Sequence, residues 1–121
     1  MSSDNKSTGG TVVGGADVGQ YRVIKTHGAA VVTAASTDVG FGVTMDSAKS
    51  GESVGYISAG PTKAIANGAI NAETPVMPAA DGKIAPWTTG NVLLGRTGDV
   101  GADADGDIVL IFLENIKRVV T

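Results

Sequence analysis

The chain has 121 residues, a net charge of −3 and no cysteine, which together limit what it can do. Its length predicts one domain, and without cysteine it can form neither a disulfide nor a thiolate zinc site. It carries no basic stripe to neutralise phosphates, so nucleic-acid binding is disfavoured. No apolar run approaches the roughly 20 residues that cross a bilayer, so no membrane insertion is expected.

The composition favours an all-β fold. Glycine supplies 18 residues and aromatic residues only 4% of the chain, while Ala, Val and Thr are abundant. Small and β-branched residues separated by glycine are typical of short strands joined by tight turns, and not of long helices.

The first 15 residues are predicted to form a flexible arm ahead of a single β-rich domain over residues 16–121. The stretch MSSDNKSTGG is polar and lacks the apolar centre of a signal peptide, so the chain is expected to be made in a cytoplasm. Two interpretations of the arm stay open. It either remains disordered or adds Thr11, Val12 and Val13 to the edge of a neighbouring sheet.

Strand candidates recur along the rest of the chain, separated by polar turns. They cover residues 21–28, 29–36, 38–45, 53–58, 74–80, 83–87, 91–98 and 108–113. Gly40 and Gly42 lie inside a candidate strand and indicate a bulge or a close backbone approach. Asp81 and Gly82 predict a tight turn, because both tolerate positive φ. The stretch AGPT at 59–62 predicts a hairpin-like reversal, and the last eight residues are either a short helix or a strand.

The strand pattern of the first half is repeated in the second. Val23 and Val76, Val31 and Ile84, and Gly42 and Gly95 are each 53 positions apart, whereas Val54 and Val109, and Ile57 and Phe112, are 55 apart. Recurring strand–turn units in any β protein would explain the match, and so would a degenerate internal duplication with a longer second loop. Two copies of about 50 residues suit a closed or sandwiched β unit.

Few side chains are available for catalysis. His27 is the single histidine and is interpreted as an exposed turn residue. The acidic loop 99–107 lacks the sixth-position glycine and closing glutamate of a calcium-binding EF-hand. No glycine-rich stretch completes a phosphate-binding motif, and no carboxylate pair has a spacing that suits acid–base work. We therefore expect no catalytic residue, no cofactor, no metal site and no enzyme.

The segment IVLIFL is apolar at every position. In a strand its side chains alternate, with Ile108, Leu110 and Phe112 on one face and Val109, Ile111 and Leu113 on the other. One face can join the core, while the other needs a second layer, a subunit or a large partner. A central strand covered within the chain and an oligomer interface both stay open. Trp87 is a further candidate, either in the core or as an interface anchor.

Two segments of the second half resemble small phage capsid decoration proteins, also called cement or head-stabilising proteins. AINAETPVMPAADGKIAPW at 69–87 supplies an apolar strand, an Asp–Gly turn and a proline-containing strand. NVLLGRTGDVGADADGDIVLIFL at 91–113 supplies the apolar LLGR stretch, a small polar loop and the terminal strand. The resemblance covers residues 17–113, most densely 66–113, and lies in order and composition. Glu73 departs from the family pattern, which usually has glycine at that position.

The resemblance implies a compact β-barrel or tulip-like fold and homotrimers on the outer surface of an icosahedral phage head. It further implies that the N-terminal arm contacts the major capsid protein. We therefore expect a structural virion protein that stabilises the head by bridging capsid subunits through many weak contacts. The segment 11–13 would add to a capsid strand, and Trp87 with segment 108–113 would form the body or trimer core. The alternative is a carbohydrate- or ligand-binding β module on a virion, which needs an aromatic platform.

Overall fold

The computed structural model describes residues 8–13, 17–25, 31–32 and 40–113 of the chain. These residues form nine β-strands and one 3₁₀ turn, Ala80–Gly82. The strands are β1 (Thr8–Val13), β2 (Val23–Lys25), β3 (Val31–Val32), β4 (Gly40–Thr44), β5 (Ser53–Ile65), β6 (Pro75–Pro78), β7 (Ile84–Pro86), β8 (Gly95–Thr97) and β9 (Ile108–Leu113).

All nine strands belong to one sheet that nearly closes into a small barrel. Its strand order is β3-β2-β4-β5-β9-β8-β6-β7, with β1 paired to β5, and the strand pairings are antiparallel. A parallel bridge between Ala66 and Ile84 joins the end of β5 to β7. The expectation of an all-β small barrel is confirmed, and no described residue is α-helical.

The two halves of the sheet share one pairing scheme. In the first half β2 lies between β3 and β4, and β4 pairs with β5. In the second half β6 lies between β7 and β8, and β8 pairs with β9. β1 pairs with the first part of β5 just as the last part of β5 pairs with β9. We call residues 8–59 the first repeat and residues 60–113 the second, so that β5 serves both.

Strand register identifies the equivalent residues of the repeats. Val12 faces Val54 as Ala64 faces Val109, so the predicted match of positions 54 and 109 is confirmed. Gly42 faces Ile24, whereas Gly95 faces Val76.

The predicted match between Val23 and Val76 is therefore wrong by one residue, because Ile24 is the true equivalent of Val76. The second repeat carries one extra residue between β6 and β8 relative to the first repeat. The offset of 53 holds after that insertion, at Gly42 and Gly95, but the offset between β2 and β6 is 52, so a single value of 53 misplaces β2 against β6.

Both predicted turns can be compared with the backbone. Asp81 and Gly82 have φ values of 60° and 68°, so the expected positive-φ turn is confirmed. The predicted reversal at 59–62 is wrong, because β5 runs without interruption for 13 residues. Gly60 has a φ of 92°, and the register with β1 shifts at Ser58, between the paired residues Ile57 and Ala59, but neither irregularity ends the strand.

Two clusters of buried side chains form the core. The smaller consists of Val18, Ile24 and Val54 of the first repeat. The larger contains Val23 and Val43 of the first repeat together with buried residues of the second repeat: Ala64, Ala66, Ile70, Val76, Ile84, Leu94, Ala102, Val109, Ile111 and Leu113. The first repeat therefore covers its own core with one face and packs its other face on the second repeat.

Glu73 and Tyr21 occupy equivalent positions and share an unusual backbone conformation. Their φ values are 51° and 61°, in the left-handed region that favours glycine. The position at which the decoration-protein pattern has glycine therefore does require a left-handed residue, although this chain places glutamate there.

Candidate interaction surface

Strand β9 separates the core from solvent. Val109, Ile111 and Leu113 are buried, as expected for one face of this strand. The exposed fractions of the alternate side chains are 58% for Ile108, 45% for Leu110 and 39% for Phe112. The described part of the chain thus provides no second layer for this face, and coverage of β9 on both faces is not seen among the described residues.

Neighbouring strands extend the exposed face. Residues directly opposite each other in antiparallel strands point to the same side of a sheet. Ile65 and Lys63 of β5 lie opposite Ile108 and Leu110, and Arg96 of β8 lies opposite Phe112. We call the resulting surface the β9 outer face, which consists of Lys63, Ile65, Arg96, Ile108, Leu110 and Phe112.

A loop of the second repeat borders this surface. Asp99, Val100 and Gly101 face β9 across a groove of about 340 Å³, and Val100 is 75% exposed. The loop leaves β8 close to Phe112, since a Cβ atom on Gly98 would lie 3.1 Å from the Phe112 ring. The groove adds an apolar rim to the β9 outer face.

Two cations lie on the β9 outer face. Lys63 and Arg96 are exposed, and neither forms an ion pair with a described residue. Two other cations of the molecule are paired, because Arg22 contacts Asp81 at 3.2 Å and Lys83 contacts Asp105 at 3.0 Å. Among the described residues the surface therefore combines apolar side chains with two positive charges that form no ion pair, which suits a partner that carries both apolar groups and carboxylates.

Sequence reasoning found the apolar half of this surface and missed the rest. Lys63, Ile65 and Arg96 come from segments far from β9 in the chain, and only the strand register places them beside it. Val100 could have been found, because it is a large apolar residue within an acidic loop.

Trp87 does not join β9. It follows β7, which is separated from β9 by β6 and β8 in the sheet. The side chain is half-buried, and its ring Nε1 donates a hydrogen bond to the carbonyl oxygen of Asn91 at 2.9 Å. The predicted grouping of Trp87 with segment 108–113 is therefore not seen within one chain.

The segment 11–13 lies in β1. Its three residues pair with Gly55, Val54 and Ser53 of β5, and the Thr11 side chain is exposed. This part of the arm is a strand of the chain's own sheet. Its addition to a capsid strand stays a prediction, as does the flexibility of the arm.

The remaining candidates of the sequence are His27, the C-terminal segment and the acidic loop. His27 and the C-terminal segment 114–121 lie outside the described residues. In the acidic loop, the Asp107 carboxylate accepts hydrogen bonds from the backbone N–H groups of Asp103 and Ala104. Within the described ranges no group of three or more His, Cys, Asp and Glu residues could hold a metal ion. Nor do these ranges contain a helix long and apolar enough to cross a membrane.

The fold has a counterpart among solved structures. No known protein-family profile matches the chain, and no curated protein sequence is significantly similar to it. The crystal structure of the N base of the head fibre gp8.5 in bacteriophage phi29 is similar over 91% of this chain and 96% of that chain, with a TM-score of 0.74 and 18% sequence identity. At this identity the similarity shows that the two chains share a fold.

Proposed function

We propose that the chain is a non-catalytic structural protein of a phage virion. It decorates the outer surface of the icosahedral head and stabilises the shell by bridging subunits of the major capsid protein. The observation that carries this proposal is the fold shared with the base of a phage head fibre over nearly the full length of both chains. The resemblance of residues 66–113 to capsid decoration proteins supports the same role.

In this proposal the chain acts as a homotrimer that makes two kinds of contact. The β9 outer face offers apolar surface of a kind that soluble proteins usually cover with a partner. Among the described strands β1 pairs with β5 alone, so its other edge can accept a capsid strand through backbone hydrogen bonds. Several such contacts in one trimer would add up to tight binding even where each is weak.

Binding to phage heads that lack the protein tests this function. The purified chain is expected to co-sediment with such heads to a saturating stoichiometry and to raise the temperature at which they break open. Heads that neither bind the chain nor gain thermal resistance would overturn the proposal.

Two truncations examine the arm. Removal of residues 1–15 is expected to abolish head binding while the body stays folded, as checked by circular dichroism. Removal of residues 1–7 keeps β1, and retained binding by this variant would assign the contact to β1. If the chain without residues 1–15 still decorates heads at full occupancy, the arm is not the capsid contact.

The arrangement of the aromatic side chains gives less support to the alternative function, a carbohydrate-binding module, than to a structural role. Tyr21 and Tyr56 each pack against a buried cluster, and Trp87 is half-buried with its ring nitrogen bonded to the backbone. These three residues therefore do not form an exposed stacking platform. Specific binding on a glycan array would restore this alternative.

A further inference from the structure

We propose that Asn67 is a site of spontaneous deamidation, and that the isoaspartate formed there weakens the bridge that closes the barrel. The site is the dipeptide Asn67–Gly68, directly after β5 and its bridge residue Ala66. Of the five asparagines in the chain, this one alone is followed by glycine. The inference goes beyond the proposed function and does not depend on it.

Both reacting groups of this dipeptide are free of hydrogen bonds. The Asn67 side chain is exposed, and its amide has no hydrogen-bond partner in the described structure. The backbone N–H of Gly68 likewise donates to no described residue. Gly68 has a φ of 98° and carries no Cβ atom that would shield its nitrogen. The Gly68 nitrogen is therefore open to reaction with the neighbouring asparagine, a residue type that is chemically labile in proteins.

The reaction needs only water as a co-reactant. The backbone nitrogen of Gly68 loses its proton and attacks Cγ of Asn67, so that an N–Cγ bond forms. The Cγ–Nδ2 bond breaks, and the amide nitrogen takes up a proton and leaves as ammonia. The product is a five-membered succinimide ring. The sum of the steps exchanges ammonia for water, and no electrons are transferred to another group.

A water molecule opens the succinimide at either of its two carbonyl carbons. Attack at Cγ gives aspartate and leaves the main chain as it was. Attack at the main-chain carbonyl carbon gives isoaspartate, in which the chain continues through Cβ and Cγ. Isoaspartate therefore adds one carbon atom to the backbone between residues 67 and 68, and both products add a negative charge.

The segment that would receive this extra atom is short and held at both ends. At its start, the Asn67 N–H donates to the carbonyl oxygen of Ile84 in β7 at 2.7 Å. At its end, Ile70 and Ala102 exchange two backbone hydrogen bonds of 2.9 and 2.8 Å. Only Gly68 and Ala69 lie between these fixed points.

The first of these fixed points closes the barrel. The bridge between Ala66 and Ile84 joins β7, at the end of the sheet order, to β5. Ala66 is itself fixed by backbone bonds to Asp107 and Gly106, both of 2.8 Å. Two intervening residues give little room for an additional backbone atom, so isoaspartate would displace the hydrogen bond between Asn67 and Ile84.

Peptide mapping by mass spectrometry of protein aged at mildly alkaline pH tests the modification. Asn67 is expected to gain about one dalton at least about tenfold faster than Asn71, because Gly68 leaves the attacking nitrogen open. Asn71 is the matched internal control, since it is also exposed but precedes Ala72. Asn67→Gln keeps an amide but would require a six-membered ring, so it should lose the fast reaction. Conversion of Asn67 no faster than that of Asn71 would overturn the proposal.

Thermal unfolding of the aged protein tests the effect on the barrel. The isoaspartate content is measured by methyl transfer with an isoaspartyl methyltransferase, and the Tm of the isoaspartate-containing fraction is expected to fall by about 5 °C or more. Freshly purified Asn67→Asp carries the new charge without the extra carbon and should keep the wild-type Tm. An isoaspartate fraction that unfolds at the temperature of Asn67→Asp would show that the barrel tolerates the longer backbone, and would overturn the second part of the proposal.

Discussion

Thr44 and Thr97 occupy equivalent positions in the two repeats and make the same pair of hydrogen bonds. The Thr44 hydroxyl donates to the carbonyl oxygen of Gly19 at 2.7 Å and accepts from the backbone N–H of Arg22 at 2.9 Å. The Thr97 hydroxyl donates to the carbonyl oxygen of Asn71 and accepts from the N–H of Thr74, both at 2.8 Å. Each hydroxyl thus fixes the left-handed turn that leads into β2 or β6.

Replacing either threonine with valine is expected to destabilise the protein. Both side chains are buried, so the change leaves a buried N–H and a carbonyl group without their partner, at a cost of about 1–3 kcal/mol in the free energy of unfolding. Urea unfolding measures the loss. Thr44→Ser and Thr97→Ser keep the hydroxyl and should lose about 1 kcal/mol for the missing methyl group. Valine variants as stable as the wild type would show that these bonds do not hold the turns.

Glu73→Gly is expected to stabilise the protein by about 1 kcal/mol. Glu73 has a φ of 51°, and the left-handed region costs a non-glycine residue roughly 1–2 kcal/mol. Glycine avoids this cost, but it loses more conformational entropy on folding, which offsets part of the gain. Thermal unfolding should show a higher Tm. Glu73→Ala removes the same carboxylate but keeps Cβ, so it should give no gain. An equal gain from alanine would assign the effect to charge and not to backbone conformation.

Gly95→Ala is expected to cost at least about 3 kcal/mol, since the new methyl group would overlap backbone that cannot move away. A Cβ atom on Gly95 would overlap the carbonyl oxygen of Phe112 and lie 3.0 Å from the Cα atom of Leu113.

Gly90→Ala is the comparison for this change. Gly90 has a φ of 92° and no atom within 4 Å of a new Cβ, so its substitution should cost only the backbone strain of about 1–2 kcal/mol. Urea unfolding of both variants gives the difference. A Gly95 variant no less stable than the Gly90 variant would contradict the close approach of β8 to β9.

Equivalent residues of the two repeats should respond differently to truncation. Val43→Ala is expected to cost about 2 kcal/mol, because Val43 is fully buried against the second repeat. Arg96→Ala, at the equivalent exposed position, should change stability by less than about 0.5 kcal/mol in the monomer. Equal losses measured at protein concentrations that keep the chain monomeric would mean that the β9 outer face is already covered within one molecule.

Local patterns in the sequence predicted the parts of the fold that depend on neighbouring residues. The apolar run IVLIFL predicted the bounds of β9, and the alternating direction of strand side chains predicted its two faces. The Asp81–Gly82 pair predicted a turn, and its φ values are positive. The recurrence of strands and glycines indicated two similar halves, and the strand pairings confirm that similarity.

Features that depend on long-range pairing could not be predicted in this way. The glycine and proline at 60 and 61 indicated a reversal, but the pairing with β9 from Gly60 to Ile65 keeps β5 extended. Lys63 and Arg96 carried no signal of their own, because their place beside Leu110 and Phe112 follows from the register of three strands. Of the residues in the β9 outer face, only those of β9 itself could be assigned from the sequence.

The sharing of β5 by the two repeats has a consequence for how the molecule loses its structure. If β5 separates from its neighbours in either repeat, side chains of both buried clusters become exposed. Neither repeat therefore keeps a complete fold when the other unfolds. We therefore expect a single cooperative transition, and fragments cut between positions 59 and 60 should fold only when mixed.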